Sequence, residues 1–356
     1  MHIAHIHTNR EWGGGEHQVL HLLGGLRDNG DTVTLICEAG GPLAAEAAKV
    51  GIAAEPPAPA RDIARLVKAR AVDLIHVHDS AGTSLGGKAG RLARVPVVLT
   101  RRVASPLRRN AMSRRKYSPR RLAAVIAISE TVKEVFLQSG YPEARLFVVP
   151  SGLDFDALEA VEPDDAFRDA SSYLVMGVGK LSVKKNWRML VDVAAAERDA
   201  GGDVRWVIAG DGPERQRLEA RIADLKLDGR VLLAGFRQDA LALLKAADLL
   251  FFPSVREGAS VTVRQAMALG VPVVAVDAAG TRESLAGHGR LVNADDIGTA
   301  ARAVLQLLND AVARQAMAVA AQASARARFS IEDTIRGTRA VYEQILGDSA
   351  GGVHPR

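Results

Sequence analysis

The stretch LLFFPSVREGASVTVRQAMALGVPVVAV, residues 249–276, contains a complete strand–helix–strand unit. The apolar run Leu249–Phe252 predicts a buried strand, and residues 261–269 have the apolar spacing of a helix. A second apolar run follows at 271–276. Apolar strands that alternate with helices are typical of a parallel sheet covered on both faces.

The same alternation extends along the chain on both sides of this stretch. It predicts strands at 3–7, 32–37, 73–77, 95–100, 123–128, 173–178, 204–208 and 231–233. It pauses at 148–154, before an acidic and weakly patterned segment. We therefore predict an α/β fold with two doubly wound, Rossmann-like domains, at 1–155 and 156–330. Ligands are expected at the carboxyl ends of the strands, in a cleft that the two domains face. Residues 331–356 predict a helix that packs back on the first domain, with a frayed tail from Gly347.

Composition narrows the class of protein. The 356 residues suit two domains, and 48% of them are apolar, which is ordinary for a globular protein. One cysteine, Cys37, excludes an internal disulfide framework and a cysteine-based zinc site. Aromatic residues make up only 4%, which argues against a stacking platform for single-stranded nucleic acid. We see no apolar segment suited to a signal peptide or a membrane span, so a cytoplasmic location is expected.

Positive charge is concentrated in the first half of the chain. Residues 1–150 hold 21 basic and 13 acidic residues, whereas residues 151–356 hold 25 basic and 28 acidic residues. Nine of the 21 residues at 101–121 are basic and none is acidic. We call 101–121 the basic segment. It predicts an anionic partner for the first domain, and the alternative is a solvated basic face.

Two glycine-containing loops follow predicted strands. Gly13, Gly14 and Gly15 precede a helix whose amides suit a phosphate, although the full dinucleotide fingerprint is absent and a tight turn without a ligand is the alternative. The segment GVGKLS at 177–182 lacks the spacing of a P-loop, which excludes a Walker-type ATPase. Its Lys180, together with Lys185, suits a diphosphate without a metal ion; solvated loop lysines are the alternative.

The loop at 253–260 combines a carboxylate with a helix start. Glu257 lies just before the predicted helix, and we expect the amides of Gly258, Ala259, Ser260 and Val261 to be free to bind an anion. Gln265 lies about one helical turn further on, near the same place. A carboxylate, a set of amides and a polar side chain are therefore predicted to converge there.

These motifs resemble those of the large glycosyltransferase family four, which has the GT-B fold. The family pattern is a strand, P-S-x-x-E-G, and then A-x-A-x-G-x-P-V-V, which residues 253–258 and 266–274 match. Further matching blocks occur in family order at 14–16, 127–130, 149–154, 179–186, 209–213 and 280–283. The chain departs from the family at Gln265, where glutamate is expected, at Ser151, where asparagine is commoner, and at Lys180, where arginine is commoner.

The resemblance implies a retaining, metal-independent sugar transfer from a nucleoside diphosphate donor. By resemblance, the catalytic residues are Glu257, Lys185 and Lys180: the lysines hold the diphosphate and the glutamate binds hydroxyls of the donor sugar. Gln265 is implied to reach the ribose, and Gly14 and Gly15 to cap the phosphate. Gly212 and the amides of 258–261 complete the donor-binding set.

The motifs that would bind the acceptor are less specific than those that would bind the donor. Many relatives place a histidine after the fifth strand of the first domain, and here Arg101 and Arg102 occupy that place. With His78 and Asp79 they form the predicted acceptor-binding set. His5, His7, His76 and His78 alternate along two strands with no acidic or cysteine partner evident, so we predict hydrogen-bonded strand ends and no metal site.

Three functions remain open from the sequence. The favoured function is transfer of a sugar to an anionic glycan, phosphorylated or lipid-linked acceptor. By resemblance this belongs to bacterial envelope polysaccharide or lipopolysaccharide synthesis, with possible peripheral contact to the cytoplasmic membrane face. The first alternative is a GT-B sugar nucleotide epimerase. The second is a non-enzymatic membrane- or nucleic-acid-binding protein, which would leave Lys180, Lys185 and Glu257 without a role.

Overall fold

A computed structural model describes residues 1–169 and 172–350, with side chains to residue 348. The chain divides into two compact units. The first unit comprises Met1–Gly152 together with the C-terminal helix, and the second unit comprises Leu153–Ser330. Each unit is built around one parallel sheet.

The first unit contains seven strands and seven helices. The strands are β1 His2–His7, β2 Thr32–Cys37, β3 Ala54–Glu55, β4 Leu74–Val77, β5 Val97–Arg101, β6 Ala124–Ala127 and β7 Leu146–Val148. The helices are α1 Gly14–Asp28, α2 Pro42–Lys49, α3 Ala60–Ala69, α4 Ser80–Ala93, α5 Ala111–Lys116, α6 Glu130–Leu137 and, at the C-terminal end, α15 Ile331–Ala350. The strand order is β3-β2-β1-β4-β5-β6-β7.

The second unit contains six strands and eight helices. The strands are β8 Tyr173–Val178, β9 Val204–Ala209, β10 Val231–Gly235, β11 Leu249–Phe252, β12 Val273–Val276 and β13 Arg290–Val292. The helices are α7 Phe155–Glu159, α8 Trp187–Asp199, α9 Arg215–Asp224, α10 Ala240–Lys245, α11 Val261–Ala268, α12 Ala279–Leu285, α13 Ile297–Asn309 and α14 Ala311–Arg328. The strand order is β10-β9-β8-β11-β12-β13.

The sequence of the central strands explains their position. Every residue of β4, β11 and β12 is buried, because helices cover both faces of each sheet. The strand order reverses direction between β1 and β4 in the first unit and between β8 and β11 in the second. In open parallel sheets these reversal points are where loops diverge and ligands bind.

The predicted alternation is confirmed, since each predicted strand occurs within two residues of its expected bounds. Three short strands, β3, β7 and β13, were not predicted, because two or three residues carry no recognisable period. The first unit ends at Gly152 rather than at 155. α15 packs its Tyr342 and Ile345 into a cluster with Leu22 and Leu26 of α1. The prediction of a frayed tail from Gly347 is wrong for residues 347–350, because they are helical. The rest of the predicted tail lies outside the described residues.

Candidate functional site

An ion pair joins the two loops that follow β8 and β11. Lys185 Nζ lies 2.7 Å from Glu257 Oε1, and Ser254 Oγ donates to the same oxygen at 2.6 Å. The ammonium also lies 4.6 Å from the centre of the Phe252 ring. The two charged side chains are 15% and 13% exposed. Because β8 and β11 are neighbouring parallel strands, residues 72 positions apart meet here, as the predicted donor site requires.

Lys180 lies in the same loop but at its surface. Its backbone is fixed, because its carbonyl accepts a hydrogen bond from Trp187 Nε1 at 3.1 Å and the next residue, Leu181, is buried. Its side chain is exposed and forms no ion pair with any described residue. The structure thus provides one lysine held by a carboxylate and one lysine available to a ligand.

Gly212 allows the loops after β8 and β9 to touch. A Cβ at this position would lie 2.4 Å from the carbonyl oxygen of Leu181, which no side chain tolerates. The same two loops are joined by a hydrogen bond from the Leu181 amide to the Asp211 carbonyl, at 2.9 Å. Gly212, which is predicted to bind the donor, thus permits a close backbone approach beside the lysine loop.

The start of α11 differs from the prediction at Ser260. The amide of Ser260 is not free for an anion, because it donates to Ser284 Oγ at 3.3 Å. Ser260 Oγ is also within 3.3 Å of Thr281 Oγ1. A Cβ on Gly280 would lie 2.5 Å from the Glu257 carbonyl oxygen, so α12 packs closely on this loop. The neighbouring α12 satisfies a donor that the sequence alone left unpaired.

Gln265 and Arg264 are adjacent on α11 but differ in environment. Gln265 is partly exposed, as a ligand contact requires. Arg264 is buried, with its guanidinium 4.0 Å from the centre of the Phe329 ring and its Nε 3.4 Å from Ser284 Oγ. Burial lowers the pKa of Arg264 to about 10, although Glu283 opposes the shift. Burial of Arg264 was not predicted from the sequence, because an arginine in a helix usually lies on the solvent face.

The four predicted acceptor residues border one cavity at the carboxyl edge of the first sheet. This cavity has a volume of about 460 Å³. It is lined by His78, Asp79, Arg101 and Arg102, and also by Gly15 of the glycine turn. Gly14 is exposed at the start of α1 and is not among the lining residues. We call this space the acceptor cavity.

The two arginines after β5 have different roles. Arg101 binds its own loop: its Nε donates to the Val103 carbonyl at 3.1 Å and one terminal nitrogen donates to the Ser105 carbonyl at 2.9 Å. Arg102 lies against His78, with terminal nitrogens 3.4 and 3.5 Å from Nδ1, and its buried Nε has no partner among the described residues. Burial lowers the pKa of Arg102 to about 10. Arg102 is thus better placed to bind an acceptor than Arg101.

The Asp79 carboxylate is largely occupied by hydrogen bonds from Gly82 and Thr8. It caps α4 by accepting from the Gly82 amide at 2.8 Å, and it accepts from both the amide and the hydroxyl of Thr8. His7 Nδ1 is 3.7 Å from its second oxygen. The predicted acceptor contact of Asp79 therefore competes with a structural function that ties β1 to α4.

The imidazole rings of His5, His7, His76 and His78 pack together at this edge of the sheet, and those of His7 and His78 line the acceptor cavity. His5 Nδ1 lies 3.0 Å from His78 Nε2, and His76 bonds Tyr342 OH of α15 at 2.5 Å and Thr100 Oγ1 at 2.7 Å. Burial, aided by the charge of Arg102, lowers the pKa of His5 to about 3, and the pKa values of His76 and His78 are also well below the usual value. The predicted hydrogen-bonded strand histidines are present.

The structure also brings these histidines closer together than the sequence suggested. Ring nitrogens of His5, His76 and His78 lie within 4.8 Å of one another, a spacing that a metal ion needs. Several of these nitrogens already have hydrogen-bond partners. The guanidinium of Arg102 beside His78 would also repel a cation. The surroundings therefore favour neutral, hydrogen-bonded rings.

A fourth histidine forms a pair that the predicted site did not include. His7 Nε2 lies 2.7 Å from Glu16 Oε1, and Asn9 Nδ2 donates to the same oxygen at 2.8 Å. Burial alone would raise the pKa of Glu16, but the hydrogen bonds from His7 and Asn9 outweigh it and lower the pKa to about 2. Glu16 is in the first turn of α1, where a carboxylate is favoured by the helix dipole.

The basic segment is not one surface. Arg101 and Arg102 lie at the carboxyl edge, where β5 ends. Arg108, Arg109 and Arg114 border a second cavity of about 410 Å³. The last two, Arg120 and Arg121, precede β6 and so lie at the amino edge. A connection between neighbouring parallel strands must cross from one edge of the sheet to the other, and this separates the nine charges.

Two family models match the chain, one in each unit. Residues 12–157 match the model described as Glycosyltransferase Family 4, and residues 172–310 match Glycosyl transferases group 1. A 2-deoxystreptamine glucosyltransferase of Streptomyces kanamyceticus is 28% identical over 77% of this chain and 78% of its own. An Escherichia coli UDP-Gal:alpha-D-GlcNAc-diphosphoundecaprenol alpha-1,3-galactosyltransferase is 26% identical over 70% and 69%, respectively.

Solved structures share the fold. Anabaena HepE in complex with UDP has a TM-score of 0.83 at 23% identity, over 99% of this chain and 100% of that one. The lipopolysaccharide outer core galactosyltransferase WaaB has a TM-score of 0.76 at 16% identity, over 97% and 99%, respectively. Both likenesses concern the fold alone and agree with the two parallel sheets described above. The protein has the GT-B fold and is a glycosyltransferase, with a Glycosyltransferase Family 4 domain in its first unit and a Glycosyl transferases group 1 domain in its second.

Proposed function

We propose that this glycosyltransferase moves a sugar from a nucleoside diphosphate donor to an anionic glycan or lipid-linked acceptor. We further propose that the transfer retains the anomeric configuration and needs no metal ion. The observation that carries the proposal is the Lys185–Glu257 pair beside the exposed Lys180. It supplies both cations for a leaving diphosphate and a carboxylate for sugar hydroxyls within one pair of loops.

The charges explain how these residues would lower the barrier. As the bond between the sugar and the diphosphate breaks, negative charge grows on the leaving oxygen. Preorganised cations stabilise that charge, and the loss of one such group typically costs roughly 100- to 1,000-fold in rate. Lys180 makes no ion pair among the described residues, so it is available to the phosphates. Glu257, held by Lys185 and Ser254, has the fixed orientation that binding sugar hydroxyls requires.

The donor class is supported by the relatives. Anabaena HepE has been solved with UDP and with UDP-glucose, and the Escherichia coli relative is named for a UDP-sugar donor. In this chain the ribose contact is proposed for Gln265, which is partly exposed on α11.

The acceptor class is supported by charge. Arg102 borders the acceptor cavity and forms no ion pair with any described acidic residue, and a guanidinium at this place suits a phosphate or a carboxylate. The Escherichia coli relative is named for a diphosphate-linked lipid, and a Rhizobium meliloti relative for lipopolysaccharide core biosynthesis. We therefore place the reaction in bacterial envelope glycan or lipopolysaccharide assembly.

Peripheral membrane contact is proposed for α5 and the loop before it. Arg108, Arg109, Arg114 and Arg115 are exposed there, and Met112 is 81% exposed. Cations beside an exposed apolar side chain suit an anionic lipid surface. Among the described helices, none is both long and apolar enough to cross a membrane. Serine at the four arginines should reduce cosedimentation with phosphatidylglycerol vesicles; unchanged cosedimentation would leave these residues as a solvated face.

The transfer itself is tested by a donor screen with and without excess chelator. Release of nucleoside diphosphate that depends on an acceptor, with full activity in EDTA, is the expected result. Loss of activity in EDTA, restored by a divalent ion, would contradict the metal-free reaction. NMR of the product anomeric proton tests retention. Interconversion of donor sugars without any acceptor would instead identify the epimerase alternative.

A further inference from the structure

A separate cavity lies at the amino edge of the first unit's sheet. It has a volume of about 450 Å³ and is bordered by residues that precede β5, β6 and β7, by the end of α4 and by α15. The acceptor cavity lies at the other end of the same strands. We call the second space the amino-edge cavity. It cannot share a ligand group with the acceptor cavity, because the sheet separates them.

Five guanidinium groups border the amino-edge cavity. They belong to Arg91, Arg94, Arg120, Arg121 and Arg145, and the lining includes one carboxylate, Asp348. None of the five forms an ion pair within 4 Å with any acidic side chain in the described part of the chain. Elsewhere in the protein arginines commonly have such partners, for example Arg221 with Asp192 at 2.8 Å. The cavity therefore concentrates positive charge that no acidic side chain among the described residues pairs with at ion-pair distance.

Arg121 shows the effect of this concentration. Partial burial, together with the charges of Arg115 and Arg91, lowers the pKa of its guanidinium. Its aliphatic stem packs beside Gly87 of α4, where a Cβ would lie 3.7 Å from the Arg121 Cβ and Cδ. Like charges close together raise the free energy of the folded protein unless an anion offsets them.

Arg94 occupies a backbone position that favours glycine. It ends α4 with φ +60° and ψ +42°, in the left-handed region. A residue with a side chain pays about 1 kcal/mol or more there relative to glycine. Arg94 adopts this unfavourable backbone conformation, and its side chain borders the amino-edge cavity. This supports a function for the Arg94 side chain and not for the turn alone.

We propose that the amino-edge cavity binds a ligand through a phosphate or diphosphate group. The planar guanidinium donates two parallel hydrogen bonds to phosphate oxygens, and five such groups against one carboxylate offer more donors than a single dianion needs. The volume is sufficient for a diphosphate with part of the group attached to it. This site goes beyond sugar transfer, because none of its residues belongs to the proposed donor or acceptor sets.

The test is calorimetry with inorganic pyrophosphate on the full chain. A Lys180→Ala, Lys185→Ala background removes the diphosphate contacts of the second unit. In this background, Arg91→Ser, Arg94→Gly and Arg120→Ser are combined as the cavity variant. Arg94→Gly relieves the left-handed strain, so the variant is expected to stay folded. The control removes three charges elsewhere in the first unit, at Arg61, Lys68 and Lys88, all exposed and without ion pairs among the described residues.

The background protein should bind pyrophosphate, the cavity variant at least tenfold more weakly, and the control within twofold of the background. Equal affinity in the cavity variant, or no binding by the background protein, would overturn the proposal. Repeating the titration with phosphatidylglycerol vesicles present identifies the source of the phosphate. Displacement of pyrophosphate by vesicles indicates a lipid headgroup, and undisturbed binding indicates a soluble phosphate ester. Glycosyl transfer is measured separately in a protein with both lysines intact. This measurement distinguishes a failure of the donor-site proposal from a failure of the amino-edge cavity proposal.

Discussion

The carboxyl edges of the two sheets fix their site residues in different ways. In the second unit a single ion pair, Lys185–Glu257, joins two loops, and both side chains retain some exposure. In the first unit His5, His76 and His78 are buried, neutral and hydrogen-bonded to one another or to neighbouring residues. The guanidinium of Arg102 lies against His78. One edge is organised by opposite charges, and the other is organised by a network of uncharged rings around a cation.

This difference suits two kinds of ligand. A partly exposed lysine can exchange its carboxylate for a phosphate at small cost, because water remains available to both groups. A buried network has defined partners for most of its polar atoms and changes conformation only at a high cost. We infer that the second unit can adapt to the proposed donor, whereas the first unit presents a fixed surface to the proposed acceptor.

Removal of the Glu257 carboxylate should have the largest effect, and this effect should be on turnover. Glu257→Gln keeps the shape of the side chain but removes the charge that pairs with Lys185 and that is proposed to accept hydrogen bonds from sugar hydroxyls. We expect turnover to fall by roughly 100-fold or more, measured as nucleoside diphosphate release at saturating donor.

The matched control is Glu219→Gln, which removes one charge from another ion pair of the second unit, with Arg215. It should retain turnover within twofold. Hydrogen exchange should show the first unit unchanged in both variants. A folded Glu257→Gln enzyme with undiminished turnover would mean that the donor site is elsewhere.

Acid should destabilise the first unit before the second. The pKa of His5 is about 3 in the folded protein and about 6.5 when unfolded, so below pH 6.5 the unfolded state binds more protons. The stabilisation is complete above pH 6.5 and is lost as the pH falls towards 3. From pH 6.5 to 4.5 His5 alone should cost about 2 kcal/mol, and His76 and His78 add in the same direction. Glu16 contributes only below about pH 4.5.

Hydrogen exchange at a series of pH values measures this unit by unit. Amides of β1 and β4 should lose protection at higher pH than amides of β8, since His288 is the only histidine among the described residues of the second unit. His5→Gln should flatten the pH dependence of the first unit, and His288→Gln should leave it unchanged. Equal acid sensitivity of the two sheets would show that the buried network is not neutral.

The fold was predictable because the sequence pattern that indicates most of its strands lies within each strand and its flanking turns. β2, β8 and β11 have the predicted bounds, since each is a run of apolar residues between turn-forming segments. The short strands β3 and β13 lie at sheet edges and contain few residues, so their pairing depends on neighbours that the sequence does not identify. The register that places His5 opposite His76 is likewise set by the sheet and not by either segment.

The geometry of the candidate site was predictable where one loop carries several candidate residues. Glu257 and Lys185 belong to recognisable blocks, and parallel-strand topology requires their loops to meet. The distinction between Arg101 and Arg102 was not predictable, because adjacent residues differ only in the direction of their side chains. The contact between Tyr342 and His76 joins residues 266 positions apart, which no local pattern indicates.

Substitution of each of the two arginines after β5 tests how the first unit binds the proposed acceptor. Arg102→Gln should raise the acceptor KM about tenfold, because it removes a charged donor at the acceptor cavity. Arg101→Gln should change it less than threefold, because Arg101 binds carbonyls of its own loop. Donor KM should be unchanged in both. Initial rates with each substrate varied in turn measure the split. Equal effects of the two variants would mean that the loop conformation, not Arg102, binds the acceptor.

The smallest effect is expected at Gln265, where the chain departs from its family. A glutamate there would accept both hydrogen bonds of a ribose diol as a charged acceptor, whereas the amide of glutamine offers one acceptor and one donor group. Gln265→Glu should therefore tighten nucleotide binding by about 1 kcal/mol or less, up to about fivefold in Kd. The nearby Lys180 and Lys185 would offset the added charge. Gln306→Glu, at an exposed position of α13, adds the same charge to the second unit away from the loops and should leave Kd unchanged. Calorimetry with the preferred nucleoside diphosphate decides the matter, and weaker binding by Gln265→Glu would show that the amide donates to the nucleotide or does not touch the ribose.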